Sequence, residues 1–413
     1  MKSSKIFKFE TIVIDWCVKH MLELAVIVTF VLSVFMRIKN FGYVSGDATN
    51  ALIPWYDAIK ENGGFHVLYR QVGNYNMPYQ TVLAVLTYLP IDSLVAIKLV
   101  SCIFDYLMSG ALAYLVYLLT DRNRIKAYWA LIVSFIMPMV ILNSATWAQC
   151  DSIYTFFCIL TLILFVKEKN AWAFVAYGFA VAFKLQAVFL LPFIMLYYVY
   201  KKKFSFLYFG LIPVSMIVAS FAALLHGRSL IDIIYIYYKQ TETHEFTSLC
   251  YASFWNCLEA TYSETYYDFI APLAICSTIV ILGLIVMYIL KKSPKLNNLT
   301  LLKIAFLMTY TCVLFLPSMH ERYDYLYIIL GLVIAFLDYR FIGIELLISY
   351  IGLRCYANYL FQTPILSFNI LVFLNIIAYI VSLILIIKDI SCTFHTTSEI
   401  PEETMPFSNS SPR

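Results

Sequence analysis

Apolar runs recur from about residue 21 to residue 387, and no polar block of domain size interrupts them. Within a bilayer every backbone N–H and C=O must be satisfied by the protein itself, so the spanning elements are helices or closed barrels. The alternating segments of about ten residues that a barrel requires do not occur, which leaves helices. The expected fold is therefore all-α: a polytopic membrane helical bundle of about 10–12 spans, each needing about 20 apolar residues. Composition agrees, since 62% of the 413 residues are hydrophobic and 13% charged, against roughly 45–50% and 25% in soluble domains.

One integral membrane domain over residues 21–390 is expected. It is preceded by an interfacial N-terminus, 1–20, and followed by a tail, 391–413, whose Ser, Thr, Glu and Pro content predicts a disordered cytoplasmic segment. Asp15, Lys19, His20 and Glu23 interrupt the apolar character before the first span, which reads as an uncleaved anchor. A net charge of +4 is small and gives no support for a nucleic-acid partner. The ten cysteines show no Cys-x-x-Cys spacing. Cys250 and Cys257 can pair if their loop faces an oxidising compartment, the alternative being buried free thiols.

Basic residues flanking the spans set orientation, because positive loops stay cytoplasmic. Lys2, Lys5 and Lys8, the 121–126 loop, Lys167 to Lys169, Lys201 to Lys203 and residues 291–295 are accordingly inside. Outside lie a long first loop, 37–92, the stretch Trp147-Ala148-Gln149-Cys150-Asp151, a second long loop, 226–268, and residues 317–323. The outer face is extracytoplasmic space or an organelle lumen, with a bacterial plasma membrane favoured and the endoplasmic reticulum if the source is eukaryotic. Between two basic markers, residues 171–200 barely hold two spans. They predict a pair of short helices whose turn, Phe183-Lys184-Leu185-Gln186, sits deep in the protein, where irregular backbone is tolerated only if buried or lining a cavity.

The candidate residues lie in these loops. Residues 45–79 are polar and aromatic, with Asp47, Trp55, Tyr56, Asn74 and Tyr75, and residues 48–59 predict an amphipathic surface helix with Asp57 on its solvated face. The short apolar piece 81–89 is expected at the outer surface. Asp47 reads either as a helix cap or as a general base whose proton affinity an apolar wall raises. Gln149 and Asp151 begin a span, where they either cap it or serve the site. Lys184, with Gln186 beside it, is an ionisable side chain in a membrane segment, and so a functional candidate by default; its alternative is an ion pair with Asp105 or another carboxylate. Lys98 and Asp105 read as structural partners within the bundle. His320, Glu321 and Arg322 cannot share a helix face but can converge on a loop, with Arg322 matched to phosphate oxygens or, alternatively, snorkelling at the membrane edge.

Three stretches in this order, Trp147-Ala148-Gln149-Cys150-Asp151-Ser152-Ile153-Tyr154, Phe183-Lys184-Leu185-Gln186 with Pro192, and Met319-His320-Glu321-Arg322-Tyr323, resemble the motifs of a known family. It is the bacterial mannosyltransferase-like family of the GT-C class, related to the eukaryotic GPI mannosyltransferases. One departure is Ala148, where the family pattern has Gly. The resemblance implies a GT-C-like bundle that transfers a hexose, mannose favoured, from a polyprenyl-phosphate-linked donor to a glycan, glycolipid or protein acceptor, with inversion. It implies Asp47 as the catalytic residue. Lys184, His320 and Arg322 would then face the donor phosphate, with Glu321, Gln149, Asp151, Gln186, Asn74, Tyr56 and Tyr75 completing the substrate site. Trp55, Tyr56 and Tyr75 can stack on sugars or anchor at the interface. Metal dependence stays open, since Asp47 and Asp151 are two carboxylates able to share a divalent cation. The competing readings are a transporter or flippase of lipid-linked oligosaccharide and a polysaccharide polymerase.

Overall fold

The computed structural model describes residues 5–241, 246–258, 264–292, 296–363 and 366–398. Helices dominate: α1 (Lys5–Lys19), α2 (Met21–Asn40), α3 (Ile53–Glu61), α4 (Met77–Leu86), α5 (Ser93–Leu119), α6 (Arg124–Ile136), α7 (Pro138–Ile141), α8 (Asp151–Val166) and α9 (Asn170–Phe183) form the first part of the chain. There follow α10 (Leu191–Lys201), α11 (Leu211–Ala219), α12 (Phe221–Leu225), α13 (Leu230–Thr241), α14 (Glu264–Lys292), α15 (Asn298–Phe315), α16 (Tyr325–Leu337), α17 (Ile342–Phe361) and α18 (Phe368–Ser398). Two short strands, β1 (Ser248–Leu249) and β2 (Met319–His320), pair in parallel and tie the second long loop to residues 317–323.

The all-α membrane-type bundle is as expected, but full-length spans are fewer. Among the described residues five helices, α2, α5, α14, α15 and α18, are long and apolar enough to cross a bilayer, and α6 with the segment after it makes a sixth bent by 46°. Helices α8, α9 and α16 have 16, 14 and 13 residues, hence about 20–24 Å at 1.5 Å per residue, short of a hydrocarbon core of about 30 Å. The bend has a local cause. Pro138 forces Met137 out of helical geometry, to φ −59° and ψ 118°. At the predicted break in 171–200, Lys184 is extended (φ −152°, ψ 134°) and separates α9 from a 3-10 turn, Leu185–Leu190, that leads into α10.

Helices α15 and α16 form the centre. Every residue from Thr300 to Leu314 and from Tyr325 to Ile334 is buried, as fits two helices that are apolar on all sides. The first outer loop has a separate core. Ala48, Leu52, Tyr56 and Ile59 recur at helical spacing and pack with Leu68, Tyr79 and Leu83 against the start of α5 and α8. The segment 81–89 is divided between core and surface: Leu83, Ala84 and Leu86 pack inside this small core, while Val85, Tyr88 and Leu89 are exposed. Asp57 is exposed. Helix α18 continues through residue 398, into the segment expected as a disordered tail, and residues 399–413 of that segment lie outside the described residues.

Two internal cations fix how the first loop leaves the bundle. Arg37, near the end of α2, donates through Nε and Nη2 to Asp105 Oδ2 at 3.1 and 3.0 Å, and through Nη1 to the carbonyls of Ser33 and Phe135. Ser144 adds a donor to the same carboxylate at 2.5 Å, so α2, α5, α6 and the turn after α7 meet at one ion pair. Lys98 Nζ donates to the carbonyls of Asn40, Phe41 and Tyr43, which caps the C-terminus of α2 with a positive charge. Breaking a buried pair on one side strands the other charge, whereas apolar replacement of both is tolerated. Arg37→Met is expected to cost about 3–5 kcal/mol in detergent-solubilised protein, and Arg37→Met/Asp105→Leu to recover most of it. Equal losses in a denaturant titration would show that the pair does not organise this end of α2.

Candidate functional site

Asp47 opens a π-helical turn, Ala48–Leu52, and its side chain makes no cap hydrogen bond. The carboxylate points into the protein instead. Oδ2 accepts from Trp147 Nε1 at 3.0 Å, Gln149 Nε2 at 2.6 Å and Arg322 Nη1 at 2.9 Å, and Oδ1 accepts from the Tyr359 hydroxyl at 2.6 Å. Each donor is itself held. Ser45 Oγ donates to Trp147 O, the Tyr75 hydroxyl donates to Gln149 Oε1, and the Tyr359 ring stacks on Trp147 at 4.7 Å. A second π-helical turn, Leu142–Thr146, delivers Trp147, and wide turns of this kind recur at functional positions.

A cavity of about 370 Å³ opens over this carboxylate, lined by Asp47, Trp55, Asn74, Tyr75, Gln149, Cys250, His320, Glu321, Arg322 and Tyr359 among others. Adjoining it through Asn74, Tyr75, His320 and Arg322 is a smaller one, about 90 Å³, that adds Asn76, Lys184, Gln186 and Gln240. Lys184 Nζ is bonded to Asp151 Oδ1, and Asn143 Nδ2 donates to the other oxygen of that carboxylate at 2.8 Å. Asp151 thus stands behind Lys184 and lines neither cavity. The structural partner of Lys184 is Asp151 and not Asp105, which belongs to Arg37.

Most of the expected residues meet here, and Tyr56 is the exception. Its hydroxyl donates to Leu86 O at 3.1 Å inside the first-loop core, far along α3 from the turn that carries Asp47, because the helical spacing that buries Leu52 also buries Tyr56. The shared-ion expectation for Asp47 and Asp151 meets a different arrangement, with Arg322 against one carboxylate and Lys184 against the other. Among the described residues no three His, Cys, Asp or Glu side chains gather as a metal site. Cys250 lines the larger cavity, and the Cys257 side chain lies outside the described residues, as does His244 of the second loop. Sequence reasoning missed Tyr359, the Trp147 indole as a donor, Asn76 and Gln240. The Trp147 motif was visible, but a single Tyr in α17 carries no sequence signal.

The backbone is strained around the cavity. Ala148, Cys250 and Ser318 take left-handed φ values of 68°, 52° and 60°. At Ala148 this conformation accounts for the glycine of the resembled motif, since an L-residue there is disfavoured by about 1–2 kcal/mol. Such strain persists where surrounding contacts over-determine it, and it concentrates at functional sites.

Two carboxylates share the cavity and titrate in opposite directions. Burial opposes the charge on Asp47, but the Arg322 charge and the hydrogen bonds from Tyr359, Arg322 and Trp147 outweigh it and hold this carboxyl below its ordinary value of 3.8. The expected rise in its proton affinity is therefore corrected: the apolar wall is present, and the donors win. Glu321 is the reverse. Burial, helped by the Asp47 and Asp151 charges and opposed by Arg322, pushes it up to about 7, and its Oε2 has no hydrogen-bond partner.

Comparison with protein-family models finds none that matches the chain, and comparison with curated proteins finds no significant match. The functional reading rests on the residues themselves.

Glu321 generates a pH test. In the folded chain it keeps its proton to about pH 7, and in the unfolded chain it loses it near 4.5. Between these values the folded state binds the extra proton, so stability present below pH 4.5 is lost as pH rises to about 7, by roughly 3 kcal/mol. Melting curves across this window should fall in the native chain and fall less in Glu321→Gln. Parallel curves would show that Glu321 is ionised in the folded state.

Proposed function

We propose that the chain is an integral membrane glycosyltransferase of the GT-C type. It transfers a hexose from a polyprenyl-phosphate-linked donor to a hydroxyl of a glycan, lipid or protein acceptor on the extracytoplasmic face, with inversion. The observation that carries this reading is the pairing of two adjoining cavities, one over the Asp47 carboxylate and one walled by Lys184, His320 and Arg322. A carboxylate beside an electropositive pocket is the arrangement needed to accept a hydroxyl proton on one side and hold a leaving phosphate on the other. The sequence carries no nucleotide-sugar motif, which favours a donor delivered through the lipid, and the motif resemblance favours mannose.

The donor phosphate occupies the smaller cavity, with the sugar at the junction formed by Asn74, Tyr75 and Arg322. The acceptor hydroxyl enters the larger cavity and gives its proton to Asp47 as its oxygen bonds to the anomeric carbon. The carbon–oxygen bond to phosphate breaks, its electron pair stays on the phosphate, and polyprenyl phosphate leaves. Arg322 lines both cavities and at rest is paired with Asp47 at 2.9 Å. The monoanionic phosphodiester of the donor competes for that guanidinium, and any withdrawal from Asp47 raises the basicity of the carboxylate when donor is bound. Trp55 lines the larger cavity with its ring 5.3 Å from Tyr75, a surface on which a sugar stacks.

The test is transfer by purified, reconstituted protein supplied with defined polyprenyl-phosphate sugars, with products identified by mass spectrometry. Asp47→Asn should lower turnover about 10²–10⁴-fold, the range of a positioned general base, while donor binding survives. Undiminished transfer by that variant would remove Asp47 as the base, and absence of product with every donor would remove the transferase reading.

A further inference from the structure

A third cavity, about 300 Å³, lies between the first loop and α13 and is not used by the site above. Arg70, Arg228 and Lys239 line it, opposed by one carboxylate, Asp232. Arg228 decides its character. It is only 8% exposed, and its Nη2 donates to Gln71 Oε1 at 3.0 Å, but among the described residues Nε and Nη1 have no hydrogen-bond partner. Asp232 Oδ2 sits 3.9 Å from Nε, beyond a hydrogen bond, on a side chain that is 54% exposed. Arg228 lines the cavity while two of its donors stay buried and unused, a costly state for a guanidinium, and the match of Arg to phosphate oxygens is among the strongest contacts an anion can offer it.

The outer face of α13 indicates where that anion comes from. Ile233 and Ile236 pack inward, while Leu230, Ile231, Ile234, Tyr235 and Tyr238 are exposed and fall on one stripe at helical spacing. A stripe of this kind seats in the boundary between lipid headgroups and acyl chains, and exposed Tyr residues mark the same depth. The Arg228 cavity therefore opens at headgroup level beside an apolar track.

We propose that this cavity is a subsite for the phosphate of a membrane lipid, with Arg228 as its buried donor, Arg70 and Lys239 at its rim, and the lipid chains along the exposed stripe of α13. The subsite is joined to the larger cavity through hydrogen bonds. Gln71, which accepts from Arg228, donates to Tyr75 O at 2.8 Å, and the Tyr75 hydroxyl reaches Gln149. The proposal is independent of the transferase reading.

It is tested by titrating the full chain in neutral detergent with dioctanoyl phosphatidic acid, with dioctanoylglycerol and inorganic phosphate as separate arms. Saturable phosphatidate binding is expected, weakened about tenfold by Arg228→Gln and measurably by Arg70→Gln and Lys239→Gln, in keeping with the loss of charge-assisted hydrogen bonds. The last two are at exposed positions and keep the test decisive if Arg228→Gln does not fold. Inorganic phosphate binding as tightly as phosphatidate would overturn the lipid assignment. Dioctanoylglycerol binding as tightly, or phosphatidate binding unchanged in both rim variants, would overturn the subsite.

Discussion

The carboxylate of Asp47 draws donors from residues 100, 102, 275 and 312 positions away along the chain. No local element dictates this meeting. It is produced by four loops and helix ends that emerge at the same end of the bundle, and each donor is held by a further contact. Arg322 is delivered by the pairing of β1 with β2, Trp147 by a π-helical turn, Gln149 by Tyr75, and Tyr359 by its stacking on Trp147. The strained residues Ala148, Cys250 and Ser318 sit in three of these same segments, so the geometry around Asp47 is imposed on the backbone by the assembled fold.

The other buried charges follow a different rule. Arg37 and Asp105 are 2% and 0% exposed, and every contact they make lies inside the helix packing. At the opposite end of the bundle, Lys303 and Arg340 share Asp338 and Asp389, which binds α15 and α18 to the turn between α16 and α17. Such pairs specify which helices meet more than they add net stability, because desolvation offsets the attraction. Asp47 and Arg322, at 23% and 14%, keep contact with a cavity. What sets this pair apart from Arg37 and Asp105 is that both of its members line a cavity of about 370 Å³.

Hydropathy made the helical bundle legible, and the placement of Lys and Arg grouped the loops around Asp47, Gln149 and Arg322 before any contact was known. The short distance between two basic markers announced the break in residues 171–200, and Lys184 at its turn signalled a partner or a cavity. Partner identity was not legible. Arg37 lies at the end of an apolar run and reads as a flanking cation, whereas its bond to Asp105 crosses 68 residues. Full-length helices are fewer than the expected spans because an apolar run of 13–16 residues reads alike in sequence whatever the length of the helix that holds it. Tyr56 was misplaced for a subtler reason. The aromatic richness of the loop drew notice to it, while the spacing Ala48, Leu52, Tyr56, Ile59 already marked it as a core position.

Adjacent residues on the loop after β2 create the asymmetry between the two carboxylates of the larger cavity. Arg322 hydrogen-bonds Asp47, and Glu321, its immediate neighbour, is left with an unpartnered oxygen although it is the more deeply buried of the two. His320 Nδ1 stands 3.9 Å from that oxygen, too far to replace the missing bond. Burial raises Glu321 to about 7 against the pull of Arg322, while the same guanidinium, with the hydrogen bonds from Tyr359 and Trp147, outweighs burial at Asp47 and holds it below 3.8. Opposed pairs of this kind are how a site supports proton transfer near neutral pH, because one group stays ionised while the other holds its proton. The same arrangement couples them: any ligand that takes Arg322 from Asp47 also removes the charge that most opposes protonation of Glu321, so an anion bound beside Lys184 raises both affinities together.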